Sequence, residues 1–172
     1  MDTAVKGYVY LAQQSVAHFL RHQQTLPCPA NLPDALKLKA GAFVSIKKNG
    51  QLRGCIGTLE PQQDNLAIEI IENAVKAATQ DPRFDSVTED ELEALSFSID
   101  VLTPLEPVDD FSKLDPKRYG LVIRHATRQG VLLPDLEGVP TVMDQVRLCR
   151  AKGGIAEDDT QEYFRFRVKR FR

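Results

Sequence analysis

Residues 42–58 read Ala-Phe-Val-Ser-Ile-Lys-Lys-Asn-Gly-Gln-Leu-Arg-Gly-Cys-Ile-Gly-Thr. Runs rich in strand formers flank Asn49-Gly50, a pair that accepts the positive φ values of a tight hairpin turn. The stretch therefore predicts a strand over 42–48 and a returning strand from Gln51, ended by Pro61, which cannot donate a further ladder bond. Working outward, Leu66, Ile70, Ile71, Ala74, Ala77 and Ala78 recur at helical spacing between 64 and 79, with Glu72 and Lys76 paired at i and i+4 on the other side. Asp81-Pro82 breaks that helix, and Thr88 with Glu91 has capping-box spacing for a shorter one ending near Ala94. Phe97, Ile99 and Val101 then alternate with polar neighbours as in a half-buried strand over 96–103, closed by Pro104 and Pro107.

Toward the N-terminus, Val5, Val9, Ala12, Val16, Phe19 and Leu20 mark an amphipathic helix over 4–24, and Pro27, Pro29 and Pro33 make the following segment a loop. Toward the C-terminus, Gly120–Ala126 and Val131–Leu133 form a second hairpin about Thr127-Arg128-Gln129-Gly130. A helix follows from about 140 to 152, with Val142, Val146 and Cys149 on one face and Gly153 in the left-handed conformation at its end. The stretch 163–169 alternates Phe164, Phe166 and Val168 with three cations, a terminal strand with one wet, basic face. Hairpins interleaved with helices, without strict alternation of strand and helix, give an α+β fold with a largely antiparallel sheet. Over 172 residues this is read as one compact domain, 1–172, with a second, intimately associated lobe possible from about 104.

Basic and acidic residues number 22 and 24, so the net charge of -2 gives no global attraction to nucleic acid or acidic membranes. No run approaches the roughly 20 apolar residues of a membrane span. Three cysteines and no leader-like segment point to a reducing, cytoplasmic setting without a disulfide scaffold. The last ten residues hold five cations and no acid; removing those five charges from -2 leaves -7 on the rest. Such a basic strand is either a contact for a polyanion such as RNA or an edge whose charges block aggregation.

Chemistry concentrates at Leu52–Thr58. In an unbroken strand Arg53 and Cys55 share a face, and a cation beside a thiol favours the nucleophilic thiolate. Gly54 and Gly57 would let a ligand approach the backbone, provided that no bulge upsets the alternation. The alternative is a small buried thiol with glycines that admit a packed helix. In Asp81-Pro82-Arg83-Phe84, Arg83 is either a clamp for an anionic group or part of a capped loop anchored by Phe84. His18 and His22 stand at i and i+4, but no further ligand completes a metal set, so neither metal nor cofactor is expected. Walker A, dinucleotide-type glycine and Gly-x-Ser-x-Gly motifs are absent from the sequence.

The run Leu52-Arg53-Gly54-Cys55-Ile56-Gly57-Thr58 resembles the signature of the AMMECR family. Further segments fit in order: Phe43–Lys47, Leu59-Glu60-Pro61, Asp81–Phe84, Val101–Pro107, Gly130–Pro134 and Cys149–Gly153. The resemblance implies a microbial stand-alone member with an α+β fold of two packed parts, a cytosolic setting and no established reaction. It implies partnership with a radical-SAM protein and a Memo-like protein. It places Arg53, Gly54, Cys55, Gly57, Thr58 and Arg83 at the site. The chain departs from the family pattern in lacking tryptophan and in the segment 138–143. Two functions follow. One is a thiol-dependent enzyme or enzyme subunit, with Cys55 and Arg53 catalytic and Gly54, Gly57, Thr58 and Arg83 binding a small-molecule or protein substrate. The other is a non-catalytic module that binds a protein, or RNA through the C-terminal basic strand.

Overall fold

Asn49 and Gly50 turn the chain with φ of 52° and 81° and join β1 (Ala42–Lys48) to β2 (Gln51–Gly57). This computed structural model describes residues 3–172, with side chains from Gly7 onward. Strand β1 also pairs antiparallel with β3 (Leu95–Leu102), and β8 (Val168–Phe171) lies beyond it, giving the sheet order β2-β1-β3-β8. Alternation in β1 sends Ala42, Val44 and Ile46 inward and leaves Phe43, Ser45 and Lys47 on the other face. The inward face packs beneath α1 (Thr3–His22) and α3 (Leu66–Thr79), where Ala12, Val16, Ile70, Ile71 and Ala74 are sealed from water.

Helix α3 starts where Asn65 accepts a hydrogen bond from the Ile68 N–H, which satisfies one of the free amides of the first turn. The buried face of α1 centres on Tyr8, Leu11, Ala12, Ser15 and Val16, while the predicted Phe19 and Leu20 are only half-buried; the side chain of Val5 lies outside the described residues. Tyr8 turns inward because its ring stacks on Phe171 of β8, with centroids 4.1 Å apart. A one-turn helix, α2 (Asp34–Lys37), follows the proline loop and buries Leu36. The capping box of Thr88 and Glu91 is present and opens a 3-10 helix over Glu89–Ala94.

The chain divides into two units, one running to Leu102 and taking back Lys169–Arg172, the other spanning Thr103–Val168. In the second, β4 (Glu106–Pro107), β5 (Gly120–His125), β6 (Arg128–Leu132) and β7 (Glu162–Phe166) form a sheet of order β4-β7-β5-β6. Helix α4 (Val142–Gly153) packs on β5 and β6 over Leu121, Ile123, Leu132, Val146 and Cys149.

Three details differ from the sequence reading. The second hairpin turns at Ala126-Thr127, with Ala126 at φ 50°, so Arg128–Gly130 belong to the strand. Gly154 at φ 60° supplies the left-handed cap of α4, because Gly153 lies against the backbone of Gly130. The terminal run is two strands in different sheets, broken at Arg167. There the Arg167 N–H donates to the Thr103 hydroxyl, and the Thr103 N–H donates to the Arg167 carbonyl.

Gly54 is fixed by packing. A Cβ built there would fall on the Ala77 carbonyl of α3. Gly54→Ala therefore forces strand and helix apart and should cost about 2 kcal/mol or more of stability. Urea denaturation followed by circular dichroism measures it, and a variant as stable as wild type would contradict this packing.

Candidate functional site

In the β1–β2 ladder, Ile46 opposes Gly54 and Lys47 opposes Leu52, so Arg53 is an extra residue at a bulge. The bulge interrupts the regular ladder at Arg53. Cys55 lies opposite Ser45, its Sγ 3.2 Å from the Ser45 hydroxyl. Arg53 instead grips the loop that follows α3. Its Nε and Nη2 donate to the two carboxylate oxygens of Glu91 at 3.0 and 2.9 Å, and Nη1 donates to the Asp85 carbonyl at 2.7 Å. Lys48 donates to the same carboxylate at 2.9 Å. These bonds, Arg53's foremost, hold the Glu91 carboxyl well below the usual carboxylate range.

The charged group that acts on Cys55 is Arg83. Asp81, whose side chain is 2% exposed, accepts the Cys55 N–H at 2.9 Å and is bound by Arg83 through Nε at 3.0 Å and Nη2 at 2.8 Å. Arg83 holds Asp81 ionised far below its ordinary value, and Asp81 caps an N–H on the outer edge of β2. Arg83 remains more than half exposed and lies against the Phe84 ring. Asp81 thus fills the capping role of the loop reading, whereas Phe84 is half-buried and outside both hydrophobic clusters, so it does not anchor the loop in the core.

Burial dominates the thiol and pushes Cys55 above its ordinary pKa. The Ser45 bond and the Arg83 charge pull it down without reversing the shift, while Asp81 and Asp100 add to the rise. Burial of the half-buried Cys55 thiol thus opposes the thiolate that proximity to Arg53 predicts. Cys28 is exposed; Cys149 is sealed against the Leu121 carbonyl and pushed up to about 12 by burial.

The remaining predicted site residues are occupied by the chain itself. A Cβ at Gly54 would meet Ala77, and one at Gly57 would meet the Phe43 ring, so neither glycine opens the backbone to a ligand. The Thr58 hydroxyl donates to Glu69 at 2.6 Å and accepts from Asn73 at 3.1 Å, while Glu69 also accepts the N–H groups of Gln62 and Gln63 at 2.8 Å. That buried network pins the loop after β2 to α3. Sequence reading missed Glu91 and Asp81 as partners of this motif; the capping-box spacing gave Glu91 only a local role.

At the basic terminus, Arg165 pairs with Glu106 at 2.9 Å, and Arg170 forms two bonds to the buried Asp100 at 2.7 and 2.8 Å. The rings of His18 and His22 lie 4.6 Å apart. Among the described residues, no group of three or more His, Cys, Asp and Glu is placed to hold a metal ion, and no helix is long and apolar enough to cross a membrane.

The model of the AMMECR1 family matches residues 9–172. A Thermotoga maritima protein is 47% identical over 168 residues, which cover 96% of this chain and 97% of that protein. A Clostridium acetobutylicum protein is 42% identical over 165 residues, 95% of this chain and 35% of that protein, so the chain spans about a third of that relative's length. The crystal structure of an uncharacterised protein from Pyrococcus horikoshii aligns with a TM-score of 0.90 over 99% of this chain and 91% of that one, at 26% identity.

Glu91 and Asp81 both have depressed carboxyl pKa values in the folded chain. Their contribution is therefore complete above the unfolded carboxylate range, about pH 4, and is lost as pH falls toward the folded values. Urea midpoints recorded from pH 6 to pH 2 should fall steeply below about pH 4 in wild type and less steeply in Glu91→Gln. Parallel slopes for the two proteins would refute this assignment.

Proposed function

The chain belongs to the AMMECR1 family, whose members have no established activity, and from that premise we propose that it is a non-catalytic recognition module that docks a second protein around Cys55 and Arg83. The observation that carries the reading is the state of the thiol. A nucleophile needs thiolate character and an adjacent base. Cys55 has its pKa raised by burial, and the nearby arginine of its own strand is bound to Glu91 instead. The exposed Arg83, braced by Asp81, gives the surface a fixed cation, and Leu52, also exposed, lies on the strand that carries Cys55.

The partner is a polypeptide of the radical-SAM or Memo-like class that the family resemblance implies. In the Clostridium relative the matched part is joined to a longer remainder in one chain, which supports work alongside a further polypeptide without saying of which class. Binding of RNA through the C-terminal strand is disfavoured because that run is split between two sheets and Arg170 is held by the buried Asp100. Residues 1–172 act as one domain, a reading supported by a family match that runs through both units. Its three free thiols fit a cytosolic setting. The competing reading, a thiol-dependent enzyme, is favoured by the Ser45 hydroxyl and the Arg83 charge, which both draw the Cys55 pKa downward.

Three thiols in one chain make an internal scale. Alkylation by iodoacetamide at pH 7.5, followed by mass spectrometry, should modify exposed Cys28 first, Cys55 at least about tenfold more slowly, and Cys149 last. The Cys55 rate should climb with pH without levelling off near neutrality. A Cys55 that outpaces Cys28 at pH 7.5 would return the chain to the thiol enzymes.

A further inference from the structure

A second concentration of charge lies in the unit spanning Thr103–Val168, independent of the Cys55 surface. Three guanidinium groups converge on one phenol ring: Arg165 at 4.4 Å, Arg167 at 5.1 Å and Arg118 at 5.9 Å from the centroid of Tyr119. Cation–π attraction stabilises each alone, but three like charges around one ring repel one another within a Debye length. A single carboxylate, Glu106, is paired with the group, on Arg165. Among the described residues neither Arg118 nor Arg167 makes a direct ion pair with a carboxylate, although Glu106 acts on Arg167 through its charge, and both arginines are exposed.

Two of the three arginines are held in place. Arg165 is held by Glu106 at 2.9 Å and by the Lys113 carbonyl at 2.7 Å. Arg167 donates through Nη2 to the Tyr119 hydroxyl at 2.8 Å and is anchored at its backbone by Thr103. The remaining guanidinium donors of Arg118 and Arg167, with the Tyr119 O–H, suit an oxyanion with several acceptor oxygens. We propose that Arg118, Arg165, Arg167 and the Tyr119 hydroxyl form a binding site for the phosphoryl group of a small phosphate ester.

A nucleic acid is the less fitting occupant. Base stacking needs an open aromatic face, and Tyr119 is 9% exposed beneath its arginines. The phenol also provides a reporter. The Arg167 bond, with the charges of Arg165, Arg167 and Arg118, lowers its pKa against burial, so an anion that neutralises those charges must raise it.

The test titrates the full chain with inorganic phosphate and with glycerol 3-phosphate, reading tyrosinate absorbance and binding heat. Both ligands should bind and shift one phenol titration upward, a shift missing in Tyr119→Phe. The double variant Arg118→Ala/Arg167→Ala should bind at least about tenfold more weakly, while Arg128→Ala, which removes an arginine paired with Asp159, should bind as wild type does. Arg167→Lys, which keeps the charge and loses the fork, should weaken binding without altering the fold. Tighter binding of the ester assigns the site to a phosphorylated metabolite, and equal binding assigns it to free phosphate; both support a phosphoryl site. Unchanged affinity in the double variant, no binding of either ligand, or an RNA oligonucleotide that binds more tightly than both through the same arginines overturns the proposal.

Discussion

The pairing of Arg53 with Glu91 is the constraint on which the surroundings of Cys55 depend. Both side chains are largely withdrawn from water, at 17% and 10% exposure. Removing two charges from solvent is costly unless the geometry is good and the remaining donors are used. Both conditions hold, since the guanidinium meets both carboxylate oxygens and its other donors take the carbonyls of Asp85 and Ser86. The pair ties the outer edge of the sheet to a loop some thirty residues further along the chain, and that loop carries Asp81 to the Cys55 N–H. An edge strand left bare is a template for association. Here it is closed by a carboxylate that is itself neutralised by Arg83.

Seen this way, the signature run of β2 is mainly architectural. Gly54 makes room for the end of α3, Gly57 for the Phe43 ring, Thr58 for a buried network with Glu69 and Asn73, and Arg53 for the loop. Cys55 and the exposed Leu52 are the members whose side chains are neither part of the core nor fully engaged in an ion pair or network. A run that resembles a catalytic motif by residue type can therefore be a packing motif that presents two side chains, a leucine and a thiol. The Thr58 network follows the same physics: a buried carboxylate is tolerated because a hydroxyl and two backbone N–H groups satisfy it.

Much of the fold is legible in the sequence where local rules agree with tertiary packing. The Asn49-Gly50 turn, β1 and α3 follow from turn chemistry and periodicity alone. Errors arise where one residue serves two demands. Gly153 has the composition of a helix cap but touches Gly130, so the next glycine takes the left-handed role. The alternation of 163–169 suggests one strand, and only the bonds between Arg167 and Thr103 split it between two sheets. At the site, residue types identified Cys55, Arg53 and Arg83, yet their pairing was not legible. Glu91, 38 residues further along, takes the Arg53 guanidinium and leaves Arg83 as the cation the thiol feels, and no periodicity announces it.

The return of the C-terminal strand to the first sheet has a consequence for biosynthesis. Phe171, 5% exposed and stacked on Tyr8, completes the core beneath α1, yet it leaves the ribosome only after the whole second unit. Until then β3 presents an open flank and the first helix lacks its aromatic lid. A nascent chain of this kind makes residues 3–102 early and completes their sheet only once Lys169–Arg172 has followed.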